Sequence, residues 1–148
     1  QFEVIPFGRS YNKNGIALTP ETKVLNIHIP RSKEPLTEEA CMESYRAAKE
    51  FFRTEVISDP CPFVCDSYLL YPENEKFLPP TTNTYRFMKS FEILSVRSDK
   101  ERSNLWRIFD TQEKNIDRLP ADTSMRRAFI EHLKKGGKMG AGRGILFI

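Results

Sequence analysis

The sequence has no apolar run approaching the roughly 18 residues that a membrane-spanning helix needs, and it opens on no basic-then-apolar leader. The expectation is a cytoplasmic protein with no membrane partner. Cysteine is scarce: Cys41, Cys61 and Cys65 are three, an odd number that suits reduced thiols better than a disulfide framework. Histidine is scarcer still, with only His28 and His132. The spacing Cys61-Pro-Phe-Val-Cys65 is too long for a redox pair and has no histidine near it, so no metal is expected and a metal- or thiol-dependent hydrolase is disfavoured. One-sided charge is also missing. Lys and Arg number 23 against 20 Asp and Glu, a net charge of +3, and the cations are scattered, which excludes a nucleic-acid footprint. There is no internal repeat and no low-complexity tract.

What is present is an ordinary balance. The 148 residues are 39% hydrophobic and 29% charged, enough for one domain around a single core. The chain opens at Gln1 rather than Met, so it is expected to be part of a longer protein.

Phe2 to Arg9 alternates, and Asn14-Gly15 signals a tight turn because both residues tolerate positive φ. Extended chain resumes from Gly15, bent at Pro20. In Val24 to Ile29, Leu25, Ile27 and Ile29 share one face, and Asn26 and His28 the other. Pro30 ends that strand, since it cannot donate to a ladder. Thr37 is a good N-cap, followed by Glu38 and Glu39 at the positive end of a helix dipole. Cys41, Tyr45, Ala48 and Phe52 then recur at helical spacing and predict an amphipathic helix. PFVCDSYLLYP, from Pro62, predicts a strand covered on both faces and therefore central. ENEKFLPPTTNTYRFMKSF predicts a short helix, a Pro-Pro break and a helical turn over Tyr85 to Lys89. FEILSVR and NLWRIFD predict two strands joined by a charged hairpin, with Trp106 in the second as core or interdomain surface. The last helix is capped by Asp122 or Thr123, buries Met125, Ala128, Phe129 and Leu133, and stops at Gly136 and Gly137. His132 lies at the edge of that face and is structural. GGKMGAGRG follows a helix and opens a strand, the reverse of a phosphate loop, so it predicts a helix stop and a flexible approach to a final strand, ILFI. The fold class is α/β (α+β layered): a mixed, mostly antiparallel central sheet with helices on both faces.

Several residues can carry chemistry, each beside a plainer reading. His28 is a candidate general base, or a histidine on a solvated strand face. The loop Pro30-Arg31-Ser32-Lys33-Glu34-Pro35 precedes a helix N-terminus and adds two cations, so it can hold an anion; it has no glycine and two prolines, so it is equally a surface turn. Asp66 is the one charge in an apolar strand, either a buried carboxylate that orients His28 or a substrate amine, or a strand-end group met by an Arg or a loop N–H. Tyr68, Tyr71 and Tyr85 are proton donors or half-buried packing groups. Cys41 and Cys65 face the core, with no adjacent base.

The segments LNIHIPRSKEPLTEEACMESYRAAKEFF, PFVCDSYLLYPENEKFLPPTTNTYRFMKSF and LPADTSMRRAFIEHLKKGGKMGAGRGILF together resemble the GNAT-like C-terminal domain of bacterial two-domain acyltransferase-like proteins. The resemblance runs from about Val24 to the end. It implies an acyl-CoA N-acyltransferase-like fold behind a helical N-terminal domain of the same protein. It also implies transfer of an acyl group from acetyl-CoA or another acyl-CoA, as co-substrate, to a small-molecule amine acceptor. Carried onto this chain, Val24 to Ile29, the loop Pro30 to Leu36 and the helix from Thr37 would hold the CoA pyrophosphate. The strand Phe63 to Leu70 would splay away and admit the pantetheine arm. Read together with the resemblance, the candidate residues are His28, Asp66 and Tyr85 for catalysis, Ile29, Arg31, Ser32, Lys33 and Thr37 for the cofactor, and Asn26 and Tyr68 for the substrate; the catalytic and substrate roles come from the residues themselves, not from the family. The chain departs from ordinary GNAT enzymes in lacking the Arg/Gln-x-x-Gly-x-Gly/Ala loop, and aspartate stands at Asp66 where the family commonly has histidine. The alternative is a non-catalytic GNAT-like binding or docking module that has lost CoA.

Overall fold

The computed structural model describes residues 1–30, 34–100 and 102–148. The chain forms two compact units: residues 1–65 with 145–148, and residues 66–144.

The first unit begins with strand β1 (Phe2–Pro6). A two-stranded hairpin follows, β2 (Tyr11–Lys13) and β3 (Ile16–Leu18), pairing Tyr11 with Leu18 and Lys13 with Ile16. Its turn is the predicted one: Asn14 and Gly15 have φ of 52° and 78°, the left-handed pair that matches the twist of a hairpin. Strand β4 (Lys23–Ile27) runs antiparallel to β1, with Phe2 opposite Ile27 and Glu3 opposite Asn26. Helix α1 (Glu38–Phe51) starts where expected, because Thr37 Oγ1 accepts the Ala40 N–H at 3.2 Å. Its buried face carries Tyr45 and Ala48. The Tyr45 ring packs against Phe63 at 5.2 Å and Phe2 at 6.2 Å. Tyr45 and Phe63 are buried with Val24, Leu25 and Val64 in the core of this unit, and Phe2 is half-buried against them.

Strand β5 (Pro62–Ser67) runs parallel to β4, with Leu25 opposite Phe63 and Asn26 opposite Val64. It is shorter than PFVCDSYLLYP suggests. From Tyr68 the chain winds into two 3-10 turns, Tyr68–Leu70 and Pro72–Lys76, the first capped by Ser67 Oγ. Asn74, only 2% exposed, holds both turns by donating to the carbonyls of Tyr68 at 2.8 Å and Leu69 at 3.4 Å.

The second unit continues with α2 (Asn83–Lys89), capped by Thr82, and strand β6 (Glu92–Ser98). NLWRIFD is not a strand. Leu105–Phe109 is helix α3, with Leu105, Ile108 and Phe109 all buried. The cause is local: Asp99 accepts the Ser103 N–H at 2.9 Å and the Asn104 N–H at 2.7 Å, which turns the chain into a helix rather than a hairpin. Trp106 is consequently on an exposed helical face, 40% accessible, with the Arg107 guanidinium over its ring at 4.7 Å. Helix α4 (Ser124–Lys134) uses Thr123 as its cap and ends at Gly136, φ 78°. Phe129 and Leu133 of α4 pack with Leu105, Ile108, Phe109, Leu119 and Met139 as the core of this unit. His132 is structural: it stacks on Phe77 at 4.3 Å, and its Nε2 lies 3.0 Å from the Lys138 carbonyl.

Strand β7 (Gly140–Phe147) is eight residues long and starts inside the glycine tract, well before ILFI. The hydrogen-bonded order of the five-stranded sheet is β1-β4-β5-β7-β6, with β5 central as expected. The pair Cys61 and Ile148 exchanges both N–H···O bonds, 2.8 and 3.0 Å, the antiparallel signature at the β5–β7 edge. No helix among the described residues is long and apolar enough to cross a membrane.

Candidate functional site

The site is built on the end of β4 and the two residues that follow it, His28 and Ile29. At this end, His28 donates its N–H to the Gln1 carbonyl at 2.9 Å and accepts from the Gln1 nitrogen at 3.1 Å. An antiparallel ladder alternates its donors, so residues at even steps from His28 bond toward β1 and the intervening ones toward β5. Ile29 lies two residues past the end of β4. It lies three residues beyond Asn26, the last position registered on β5, and its N–H has no acceptor among the described residues. A backbone donor with no acceptor among the described residues, just past the end of a strand, is what a ligand carbonyl can use.

On the other face, period two brings Glu3, Asn26 and His28 together. Glu3 Oε1 lies 2.8 Å from His28 Nε2 and 2.9 Å from Asn26 Nδ2, while Asn26 Nδ2 and His28 Nε2 are 3.2 Å apart. The hydrogen bond from Asn26, and then that from His28, hold the Glu3 carboxyl below its ordinary range. Glu3 is thus an ionised acceptor at neutral pH. His28 and Glu3 are about half exposed.

Downstream, α1 presents its N-terminus. The Ala40 and Cys41 N–H groups are taken by Thr37, leaving those of Glu38 and Glu39 with no acceptor among the described residues. The predicted cofactor residues Arg31, Ser32 and Lys33 lie outside the described residues. Thr37 serves as the helix cap, through its hydroxyl and its carbonyl.

Asp66, Tyr68 and Tyr85 belong to the second unit. Asp66 is not a buried carboxylate: its side chain is one-third exposed and forms a bidentate pair with Arg97, 2.8 Å on each arm. Asp66 is the penultimate residue of β5, where water reaches the strand. The Arg97 hydrogen bonds, which raise the Arg97 pKa, occupy both carboxylate oxygens. Tyr68 packs its ring 6.4 Å from Phe129 beside the second core. Tyr85 is half-buried on α2, where its N–H is capped by Thr82. Burial raises the thiols of Cys41 and Cys61, and it raises the Tyr45 phenol, so none of them supplies an anion at neutral pH. Among the described residues no three His, Cys, Asp or Glu side chains gather as a metal group.

Glu3 and Arg97 escape a sequence-only reading. Glu3 had a signal in the alternation of FEVI, which puts it on the polar face of its strand. That it meets His28 depends on the β1–β4 register, which the sequence does not declare.

The profile of the GNAT-like C-terminal domain matches residues 1–146. Among solved structures, the fold is similar to an acyltransferase in complex with decanoyl-CoA and teicoplanin, at 26% identity and a TM-score of 0.74, over 86% of this chain and 41% of that one. It is also similar to a mutant acyltransferase in complex with octanoyl-CoA, at 24% identity and a TM-score of 0.77, over 99% of this chain and 44% of that one. The chain thus spans less than half the length of either solved protein. No curated protein matches it. The five-stranded, mostly antiparallel sheet with its helices is an acyl-CoA acyltransferase-like fold, and this chain belongs to the GNAT-like C-terminal domain family.

Proposed function

We propose that this chain is the acyl-CoA-binding domain of an N-acyltransferase, with His28 as general base. The observation that carries this lies just past β4: a backbone N–H at Ile29 with no acceptor among the described residues, adjacent in sequence to a histidine held by a carboxylate. The residues present fit the co-substrate. Ile29 N–H suits a thioester carbonyl oxygen, and the Glu38 and Glu39 N–H groups at the α1 dipole suit a pyrophosphate, beside a loop carrying Arg31 and Lys33.

An acyl-CoA supplies the activated carbonyl carbon and the thiolate leaving group. Ile29 N–H stabilises negative charge on the carbonyl oxygen as the amine nitrogen bonds to the carbon and the C–S bond breaks. His28 Nδ1 takes the proton the amine loses. The thiolate leaves as such or takes a proton from water. His28 is preferred to Asp66 as the base because Arg97 already occupies both oxygens of Asp66. We further propose that a helical N-terminal domain of the same protein completes the acceptor site and that the acceptor is a small-molecule amine. The solved neighbours support this reading, since one of them was crystallised with both an acyl-CoA and teicoplanin.

Amide mapping tests the assignment. Octanoyl-CoA added to the full-length, 15N-labelled protein is expected to shift the Ile29, Glu38 and Glu39 amide resonances before others in this unit. Shifts confined to α4 or β6 would refute the placement.

A docking module without CoA is the second reading. Glu38 and Glu39 in the first turn of α1 favour it, because they already complement the dipole that an anion would use, and no glycine relieves the loop. Under that reading octanoyl-CoA leaves all three amides unmoved.

A further inference from the structure

The structure assigns Glu3 as the positioning residue that fixes the tautomer and ring orientation of His28, an inference that rests on the acyl-transfer reading above. Glu3 and His28 lie 25 residues apart in sequence, and only the β1–β4 register unites them.

An ionised carboxylate can only accept. The 2.8 Å contact between Glu3 Oε1 and His28 Nε2 is therefore an Nε2–H donated to Glu3. Asn26 cannot bond to that same nitrogen once it carries hydrogen. The 3.2 Å approach of Asn26 Nδ2 to Nε2 is then two donors converging on one oxygen. With the Nε2 proton committed to Glu3, the neutral ring leaves Nδ1 unprotonated, which is the state a base needs. When Nδ1 takes a proton, the carboxylate faces the imidazolium and stabilises it. This is the logic of a nucleophile's base oriented by a third group, with the order carboxylate, imidazole, incoming amine. The carboxyl of Glu3 stays ionised because Asn26 and His28 both donate to it. Asn26 donates one amide N–H to Glu3, and its second N–H and its carbonyl oxygen are separate groups.

A structural role alone would not select a tautomer, so the test reads one. Long-range 1H–15N correlation spectra of the neutral His28 ring in the full-length protein are expected to show the Nε2–H form. Glu3→Ala should give a mixture containing Nδ1–H. Glu3→Gln keeps an acceptor oxygen at the same place and should restore the Nε2–H form. In CoA release from octanoyl-CoA with glycinamide as the amine, Glu3→Ala should lower kcat by about tenfold or more while KM for octanoyl-CoA stays within about twofold, and Glu3→Gln should recover part of the loss. A wild-type ring in the Nδ1–H form overturns the assignment, as does a Glu3→Ala spectrum identical to wild type. If the tautomer responds as stated but wild-type protein releases no CoA, the positioning holds and the acyl-transfer reading is what has failed.

Discussion

Replacing Gly142 with alanine is expected to destabilise the protein by about 3 kcal/mol or more, the upper part of the range for inserting a methyl group into a packed interior. A Cβ at this position would stand 2.2 Å from the Leu70 carbonyl oxygen and 2.8 Å from its carbon. Those are backbone atoms of a 3-10 turn whose side chain is fully buried, so no flexible end can move aside. Relief requires the strand or the turn to shift. For a chain of this length the melting temperature should fall by roughly 6–12 °C. Gly15→Ala is the informative control. Its Cβ would meet nothing within 4 Å, and its cost is confined to the left-handed backbone, φ 78°, about 1 kcal/mol. Equal melting temperatures for the two variants would show that β7 does not press on Leu70 as described.

Replacing His28 with alanine is expected to leave the fold intact and remove most of the turnover. The side chain is 51% exposed, so little packing is lost. A general base contributes on the order of 10² to 10⁴-fold to rate. The kcat for CoA release from octanoyl-CoA with glycinamide should fall by that factor, and the affinity for octanoyl-CoA should change by less than about twofold. Asp66→Asn should act differently. It weakens a half-exposed pair with Arg97, worth about 1 kcal/mol or less, and should leave kcat within about threefold. If Asp66→Asn is the crippled variant and His28→Ala is not, the base has been assigned to the wrong side chain.

Local chemistry made much of the first unit legible. Thr37 followed by two glutamates declares a helix start without tertiary help, and Asn14-Gly15 declares its own turn. The run at Pro62 declares a central strand because nearly every position is apolar. Around Leu105 two periodicities overlap. Leu105, Ile108 and Phe109 sit at steps of three and four, yet five residues are too few to separate that from a strand, and Asp99 decides the outcome from outside the segment. The glycine tract misled for another reason. Gly140, Gly142 and Gly144 alternate because each faces a crowded neighbour: Arg97 and Tyr71, Leu70, then Phe91. Period two was visible, but glycine has no side chain to mark it as buried. For the site, His28 and Asn26 were legible from alternation within one strand. Glu3 required a pairing register, and the Asp66–Arg97 pair required knowing which charge met a carboxylate 31 residues away.

The central claim is that the end of β4 and the start of α1 bind an acyl-CoA. Isothermal titration of octanoyl-CoA into the full-length protein tests it most directly. A saturable, one-to-one binding heat with micromolar affinity is expected, weakened at least tenfold by Ile29→Pro, which deletes the backbone N–H just past β4. No heat at high micromolar octanoyl-CoA would contradict it.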